Sequence, residues 1–288
     1  MKTVECGIKA FDVHELLCHF IAKRLGFYEE AGLDVTVIDA TFVADDKLPE
    51  SNYFQVACGA AYLGRRDNFP FKVALAATTK PMFWLHARAG IENIEELKGK
   101  RVATYPPVAP PHWFSRALLR KNGLDPDRDL DMRPCRDDII RFGLLRDGDI
   151  DAAVISSAIS PVTVQQSGLN TLTLLGDEVT FVTTGIATTE KIMQEQPEMV
   201  SALISVFQKS LTTIHESADQ IIPIISDILR VSDKVAMQTY DLIQGCYTWD
   251  GRVEMETAQA ALDVMEKELG GAKALRAQDL YDFSLLNT

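Results

Sequence analysis

The chain has 288 residues, 47% of them hydrophobic and 24% charged, an ordinary globular balance that excludes disordered and fibrous classes and a length that suits about two domains. A net charge of −12 with no cluster of Lys and Arg excludes a nucleic-acid partner, since neutralising phosphates requires concentrated basic side chains. No uninterrupted apolar run approaches the roughly 20 residues that span a bilayer, so no membrane insertion is expected.

Met1 to Leu25 places Glu5, Asp12, His14 and Glu15 where the apolar centre of a secretory leader would run. The expectation is therefore a cytoplasmic protein, or a periplasmic one if a leader has been removed. Five cysteines, Cys6, Cys18, Cys58, Cys135 and Cys246, are odd in number and lack metal-ligand spacing. They read as reduced, mostly buried thiols.

Val4 to Ala10 suits a first strand, after which Asp12 caps a helix whose third residue is Glu15, an Asp-x-x-Glu variant of the capping box. Leu16, Leu17, Phe20, Ile21 and Leu25 give that helix an apolar face, and Gly26 ends it. Strands are predicted at Asp34 to Ile38 and Phe54 to Cys58, the latter running into the small residues Gly59, Ala60 and Ala61. Phe71 to Ala77 and Met82 to His86 continue the same sheet.

Arg101 to Tyr105 opens a second sheet, and Pro110 with Pro111 suits the first turn of a helix buried through Trp113, Phe114, Ala117 and Leu118. Arg136 to Arg146 reads as helix, Asp151 to Ser156 as strand, Pro161 to Ser167 as short helix and Thr171 to Leu175 as strand. Thr180 to Ala187 is β-rich again. From Pro197 the chain turns helical, with Met199, Leu203, Ile204, Phe207, Leu211 and Ile214 spaced three and four apart; helices follow at Ile221 to Leu229, Lys234 to Tyr247 and Met255 to Leu269.

Three segments in this order, residues 26–39 (GFYEEAGLDVTVID), 97–103 (LKGKRVA) and 148–153 (GDIDAA), resemble the type II periplasmic solute-binding proteins. Within that fold the resemblance is to the sulfonate, nitrate and taurine receptors and the thiamine-pyrimidine-precursor (THI5-like) group. It implies a two-lobed α/β fold, a second α/β domain inserted into the first and a helical carboxyl-terminal region. Domain 1 would comprise residues 1–87 and 179–288 and domain 2 residues 88–178, with crossovers near Arg88 and Glu178. It further implies binding of a small organic anion by hinge closure, for an ABC-transporter permease. The lysine-bound cofactor and cysteine-rich motif of the pyrimidine-synthesising relatives have no counterpart, so that activity is not carried over.

In open α/β sheets ligands sit beyond the carboxyl ends of the strands. The residues in such places are Phe11, Asp12 and His14 after the first strand, Gly59, Ala60 and Tyr62 after the third, Tyr105 and His112 before a helix, and Ser156 with Ser157. Helix amino ends favour anions, though two of them, at about 0.3–1 kcal/mol each, fall short of micromolar affinity. Phe83, Trp84, Tyr105, His112, Trp113 and Trp249 are the rings available to supply the remaining contact. A ligand with an apolar or aromatic body and one anionic group fits better than a bare oxyanion.

Each candidate has a plainer reading. His14 is a ligand donor or a helix-start residue; Cys58 is a nucleophile with His14 as base, or a small buried hydrophobe. The Pro106 to Pro111 run is a rigid loop, with or without a role in holding a surface open. No P-loop, GxGxxG fingerprint, serine triad or metal cluster is present, so neither cofactor nor metal is expected. The alternative function is a cytoplasmic lyase or decarboxylase on the same scaffold, using His14, His112 or Cys58. The effector domain of a LysR-type regulator shares the fold but would follow a basic helix-turn-helix, and Met1 leads directly into a strand.

Overall fold

The computed structural model describes residues 1–270 and 274–286. Two five-stranded sheets divide the chain, each the centre of one lobe. The first combines β1 (Lys2–Ile8), β2 (Leu33–Asp39), β3 (Tyr53–Ala57) and β4 (Phe71–Thr78) with β10 (Thr184–Thr189), in the order β2-β1-β3-β10-β4. The second combines β5 (Phe83–Ala87), β6 (Arg101–Thr104), β7 (Asp131–Pro134), β8 (Ala152–Ser156) and β9 (Asn170–Leu174), in the order β7-β6-β8-β5-β9. The same plan appears twice: second strand, first, third, a visiting strand from across the crossover, then the fourth. The visitor is antiparallel to both neighbours in each sheet, β10 between β3 and β4 and β5 between β8 and β9.

The helices are α1 (Val13–Arg24), α2 (Phe27–Glu30), α3 (Cys58–Arg66), α4 (Pro110–Lys121), α5 (Asp138–Asp147), α6 (Pro161–Gln166), α7 (Leu175–Glu178), α8 (Glu190–Glu195), α9 (Pro197–Glu216), α10 (Ala218–Leu229), α11 (Asp233–Ile243), α12 (Met255–Leu269) and α13 (Ala277–Leu280). The three-and-four spacing in α1 and α9 buries one stripe of each against the other, with Leu17, Ile21, Leu203 and Phe207 in one core. Phe20, expected on that stripe, is partly exposed. Asp12 caps α1 by accepting from the Glu15 amide at 2.8 Å, as its position predicts. Glu15 does not complete the box: its carboxyl reaches past the cap to the Lys9 and Ala10 amides, at 2.7 and 3.2 Å.

Met82–His86, expected to continue the first sheet, instead lies at the heart of the second. All five residues of β5 are buried, so the strand has no solvent face whose alternation would reveal its partners. The chain therefore passes between sheets after Thr78 and returns after Leu174. Besides the short helices α7, α8 and α13, two elements at the cleft side of the sheets had no forecast. The exposed edge strand β7 is four residues long and ends at Pro134, and α3 begins at Cys58, directly where β3 stops. The predicted helix ending at Tyr247 stops at Ile243 and tightens into a 3₁₀ turn over Gln244–Cys246. Four of the cysteines are buried and Cys135 is half-buried.

The two crossovers run against each other. The Phe181 amide donates to the Thr79 carbonyl at 2.9 Å and the Lys80 ammonium bonds Asp177 at 2.8 Å. A Cβ at Gly176 would lie 2.6 Å from Lys80 Cβ and 2.9 Å from the Pro81 carbonyl oxygen. Gly176→Ala is therefore expected to lower stability by about 1–3 kcal/mol through overpacking. By contrast, Gly143→Ala in α5, where no atom lies within 4 Å of the new Cβ, is expected to raise stability by about 0.5–1 kcal/mol. Denaturant midpoints of the two variants check the pair of opposite signs.

Candidate functional site

The carboxyl ends of the parallel strands from both sheets meet at one cleft of about 940 Å³, within the ~300–1,000 Å³ common for small-molecule sites. The first lobe contributes Phe11, Asp12 and His14 after β1, Thr41 and Phe42 after β2, and Gly59 and Ala60 after β3. The second contributes Tyr105 and Val108 after β6, Arg136 and Ile139 after β7, and Ala158 after β8. Every loop thus follows the strand end that the crevice rule points to.

The floor is aromatic and crosses the lobe boundary. Phe83 meets His14 edge-on at 5.7 Å and Tyr105 at 5.6 Å. His14 Nε2 lies 3.0 Å from Thr78 Oγ1 and 2.7 Å from Thr183 Oγ1, and the Thr78 hydroxyl is 2.8 Å from that of Thr184. Burial lowers the His14 pKa to about 3, so the imidazole is neutral at physiological pH. The Tyr105 hydroxyl donates to Asp138 at 2.7 Å, and its ring lies 3.9 Å from the guanidinium of Arg141, a wholly buried side chain. Asp138 also accepts from the Ser156 amide and hydroxyl and pairs with Arg141.

Lobe meets lobe at the start of α1, where the His14 amide donates to Ser157 Oγ at 2.9 Å. A Cβ on Gly59 would sit 3.1 Å from Pro110 of the opposite lobe. The amino end of α1, expected to greet an anion, is taken: its amides go to Ser157 and to the Asp12 cap. That of α4 offers no N–H at Pro110 or Pro111, and the His112 amide donates to the Ala109 carbonyl at 3.0 Å. Ala60 and Ile139, in the first turns of α3 and α5, line the cleft, although the neighbouring Gly59 amide donates to the Thr183 carbonyl at 3.3 Å and the Ile140 amide to the Asp137 cap at 2.9 Å.

Of the residues expected at the site, Phe11, Asp12, His14, Gly59, Ala60 and Tyr105 line the cleft together. Ser156 and Ser157 stand behind it, orienting Asp138 and α1. Tyr62 is buried against Phe181 with its hydroxyl on Glu266, and Trp84 lies in the first core rather than forming a wall. His112 is enclosed, its Nδ1 donating to the Tyr105 carbonyl at 2.9 Å; Trp113 packs on it and donates to the Pro107 carbonyl, bracing the proline loop. Trp249 is 62% exposed and stacked on His215 at 4.0 Å, away from the cleft lining. Cys58 is buried behind Gly59 with its thiol pushed up by desolvation, the wrong direction for a nucleophile.

Six carboxylates and three cations line the cleft. Arg66 is paired with Glu266 at 3.0 Å. Lys9 and Arg136, one from each lobe, are different: among the described residues neither comes within ion-pair distance of a carboxylate. The Lys9 ammonium donates to the Ala40 carbonyl at 2.6 Å, and Arg136 reaches the Thr41 carbonyl at 3.5 Å with its guanidinium 5.0 Å from the Phe42 ring. Burial lowers the Lys9 pKa most, the nearby carboxyls of Asp45 and Glu15 oppose that shift, and the charge of Arg136 adds to it. Neither residue was singled out from the sequence. Lys9 was hidden because the first strand was drawn through Ala10, Arg136 because β7 went unrecognised and the residue was read into α5.

The sequence model of the family described as NMT1/THI5 like matches residues 15–221, more than two thirds of the chain. The chain belongs to the NMT1/THI5-like family. Solved structures similar to it include a protein of Bordetella bronchiseptica RB50 (TM-score 0.80, 17% identity, covering 99% of this chain and 96% of that one). Another is the periplasmic aliphatic sulphonate binding protein SsuA from Escherichia coli (TM-score 0.76, 13% identity, 97% and 91%). A third is the desulfurization enzyme DSZB (TM-score 0.73, 16% identity, 97% and 96%). These likenesses establish the two-lobed periplasmic-binding-protein fold. Among curated protein sequences none matches the chain.

Asp12 and Glu15 lie side by side at the cleft, and desolvation is the main cause raising both carboxyl pKa values, with Asp138 adding to the effect on Asp12 and Asp12 to that on Glu15. A carboxyl whose folded pKa exceeds its unfolded value stabilises the fold fully below the unfolded pKa and loses that contribution as pH rises through the folded one. Asp12→Asn keeps the cap acceptor and removes the titration. The melting temperature of the native protein relative to Asp12→Asn is therefore expected to fall steadily between about pH 4 and about pH 8. Parallel melting curves across that range measure it; a constant difference would contradict the assignment.

Proposed function

We propose that the protein is a solute-binding protein of the ABC-transporter type, which closes its two lobes on a small organic anion and delivers it to a membrane permease. The observation that carries this reading is the pair Lys9 and Arg136. Two cations from opposite lobes face one cleft and, among the described residues, hydrogen-bond only to carbonyls, with the charge of Arg136 adding to the burial that lowers the Lys9 pKa. An anionic group placed between them relieves that repulsion and joins the lobes, so closure and binding become one event. His14, Phe83 and Tyr105 supply a flat, dry wall for the body of the solute, while Thr183 and Ala60 offer polar contacts beside it.

A sulfonate, a carboxylate or a pyrimidine-precursor-like anion fits this arrangement, and the family membership and the sulphonate-binding neighbour support the class. The lyase or decarboxylase alternative loses its residue set: His112 and Cys58 do not line the cleft that His14 faces.

Calorimetric titration with aliphatic and aromatic sulfonates, carboxylates and aminopyrimidine derivatives tests the proposal. Lys9→Met and Arg136→Gln are each expected to weaken the best-binding solute by about 10- to 100-fold, the range for a charge-assisted hydrogen bond of ~1.5–3 kcal/mol. Affinities equal to the native protein's in both variants would defeat the reading.

A further inference from the structure

α12 is gripped from both lobes. Glu266 accepts from the Tyr62 hydroxyl at 2.9 Å and from Arg66 Nε at 3.0 Å, both on α3 of the first lobe. Two residues further on, Glu268 turns to the second lobe and meets Arg120 Nε at 3.2 Å and Arg116 Nε at 3.6 Å on α4. Its side chain is 6% exposed. The Arg116 Nε is itself buried without a hydrogen-bond partner among the described residues, because 3.6 Å to Glu268 is too long for one.

The position of these contacts matters as much as their chemistry. α4 starts at the cleft, where Pro110 and Phe114 line it, and its last residue, Lys121, pairs with Glu178 of the second crossover at 2.7 Å. α12 runs beside it and ends at the cleft through Leu269. A second groove of about 740 Å³ lies between these two helices and the Glu178–Thr180 segment. α12 is tied to the first lobe through α13, whose Ala277 amide donates to Gln259 Oε1 at 2.7 Å and beyond which the Asp282 amide donates to the Val73 carbonyl of β4 at 3.0 Å, so a rotation of the lobes about the crossovers would pull α4 from α12 along this wall.

The partners would not share that separation equally. Arg116 keeps Asp127, and Arg120 keeps Asp125 and Asp127, all within the second lobe. Among the described residues Glu268 meets no other cation: both of its partners belong to the other lobe. Opening therefore strips the carboxylate of these two charged partners and leaves the two arginines paired. Glu266, gripped within its own lobe, loses nothing.

We propose that Glu268 is an interlobe latch that sets the balance between closed and open lobes, and with it the affinity of the cleft. This regulation rests on the closing motion of the proposed function but not on the identity of any solute. The latch weakens with salt through its Arg120 arm, which is 38% exposed and open to screening, whereas the buried Arg116 arm is screened less. The Glu268→Gln variant is isosteric and removes the charge. Arg120→Gln removes it from the other side at a partly exposed position, should the first variant fold poorly.

Small-angle X-ray scattering of the solute-free protein tests the latch directly. The native protein is expected to show a radius of gyration that grows with added sodium chloride; Glu268→Gln and Arg120→Gln are expected to show the larger value already at low salt. Glu266→Gln is expected to match the native protein. For a solute found by titration, Glu268→Gln should bind about tenfold more weakly at low salt, with a flatter salt dependence. Identical scattering from Glu268→Gln and the native protein at every salt concentration would overturn the proposal, as would equal expansion of Glu266→Gln, which would assign the effect to helix docking in general. Failure to find any binding anion counts against the proposed function alone, since the scattering experiment uses no solute.

Discussion

The architecture depends on how closely the two crossover segments pass. Gly176 lies where a methyl group would collide with Lys80 and Pro81, and a backbone hydrogen bond from Phe181 to Thr79 ties the segments together. Side by side, they form the two covalent links between the lobes. Each crossover also delivers one antiparallel strand, β5 into the second sheet and β10 into the first, so that both sheets turn the carboxyl ends of their parallel strands to the same space. Phe83 and Thr184 stand at the first positions of those two strands and reach the cleft for that reason.

Within the cleft, charge is sorted by what it can find. Asp138 is saturated by Tyr105, Ser156 and Arg141. Asp137 caps α5, and the carboxyls of Asp12 and Glu15 serve backbone amides around the start of α1. Acidic residues thus outnumber basic ones along the lining while being largely committed to the protein itself. Among the described residues Lys9 and Arg136 hydrogen-bond only to carbonyls, which stabilise a cation less than a carboxylate does. The sign of the net charge is therefore a poor guide to what the cleft holds. The unpaired groups decide it.

Much of this was legible in the sequence. The alternating strand after Gly32, the Asp12 cap and the three-and-four spacing of α9 are local signals, and local physics answers them. Phe11, Asp12, His14, Gly59, Ala60 and Tyr105 could be placed together because each follows a strand end. What escaped depends on partners distant in the chain. β5 is buried on both faces and its sequence does not say in which sheet. The duplicated strand order left no repeat in the sequence, since it constrains topology rather than residues. Trp84, expected as a cleft wall, is core, and nothing near the end of α12 in the sequence singles out Glu268, whose partners Arg116 and Arg120 lie about 150 residues earlier.

The exchange of strands between the lobes also bears on how the molecule comes to be folded at all. A polypeptide cut to the stretch between Arg88 and Glu178 would lack β5, and β8 and β9 would face a vacancy at the middle of their sheet. The first sheet would suffer likewise without β10, leaving β3 and β4 unjoined. Neither half can finish its hydrogen bonding before the chain has travelled out and back. Two lobes that each hold a strand of the other's stretch of chain are therefore obliged to assemble as one.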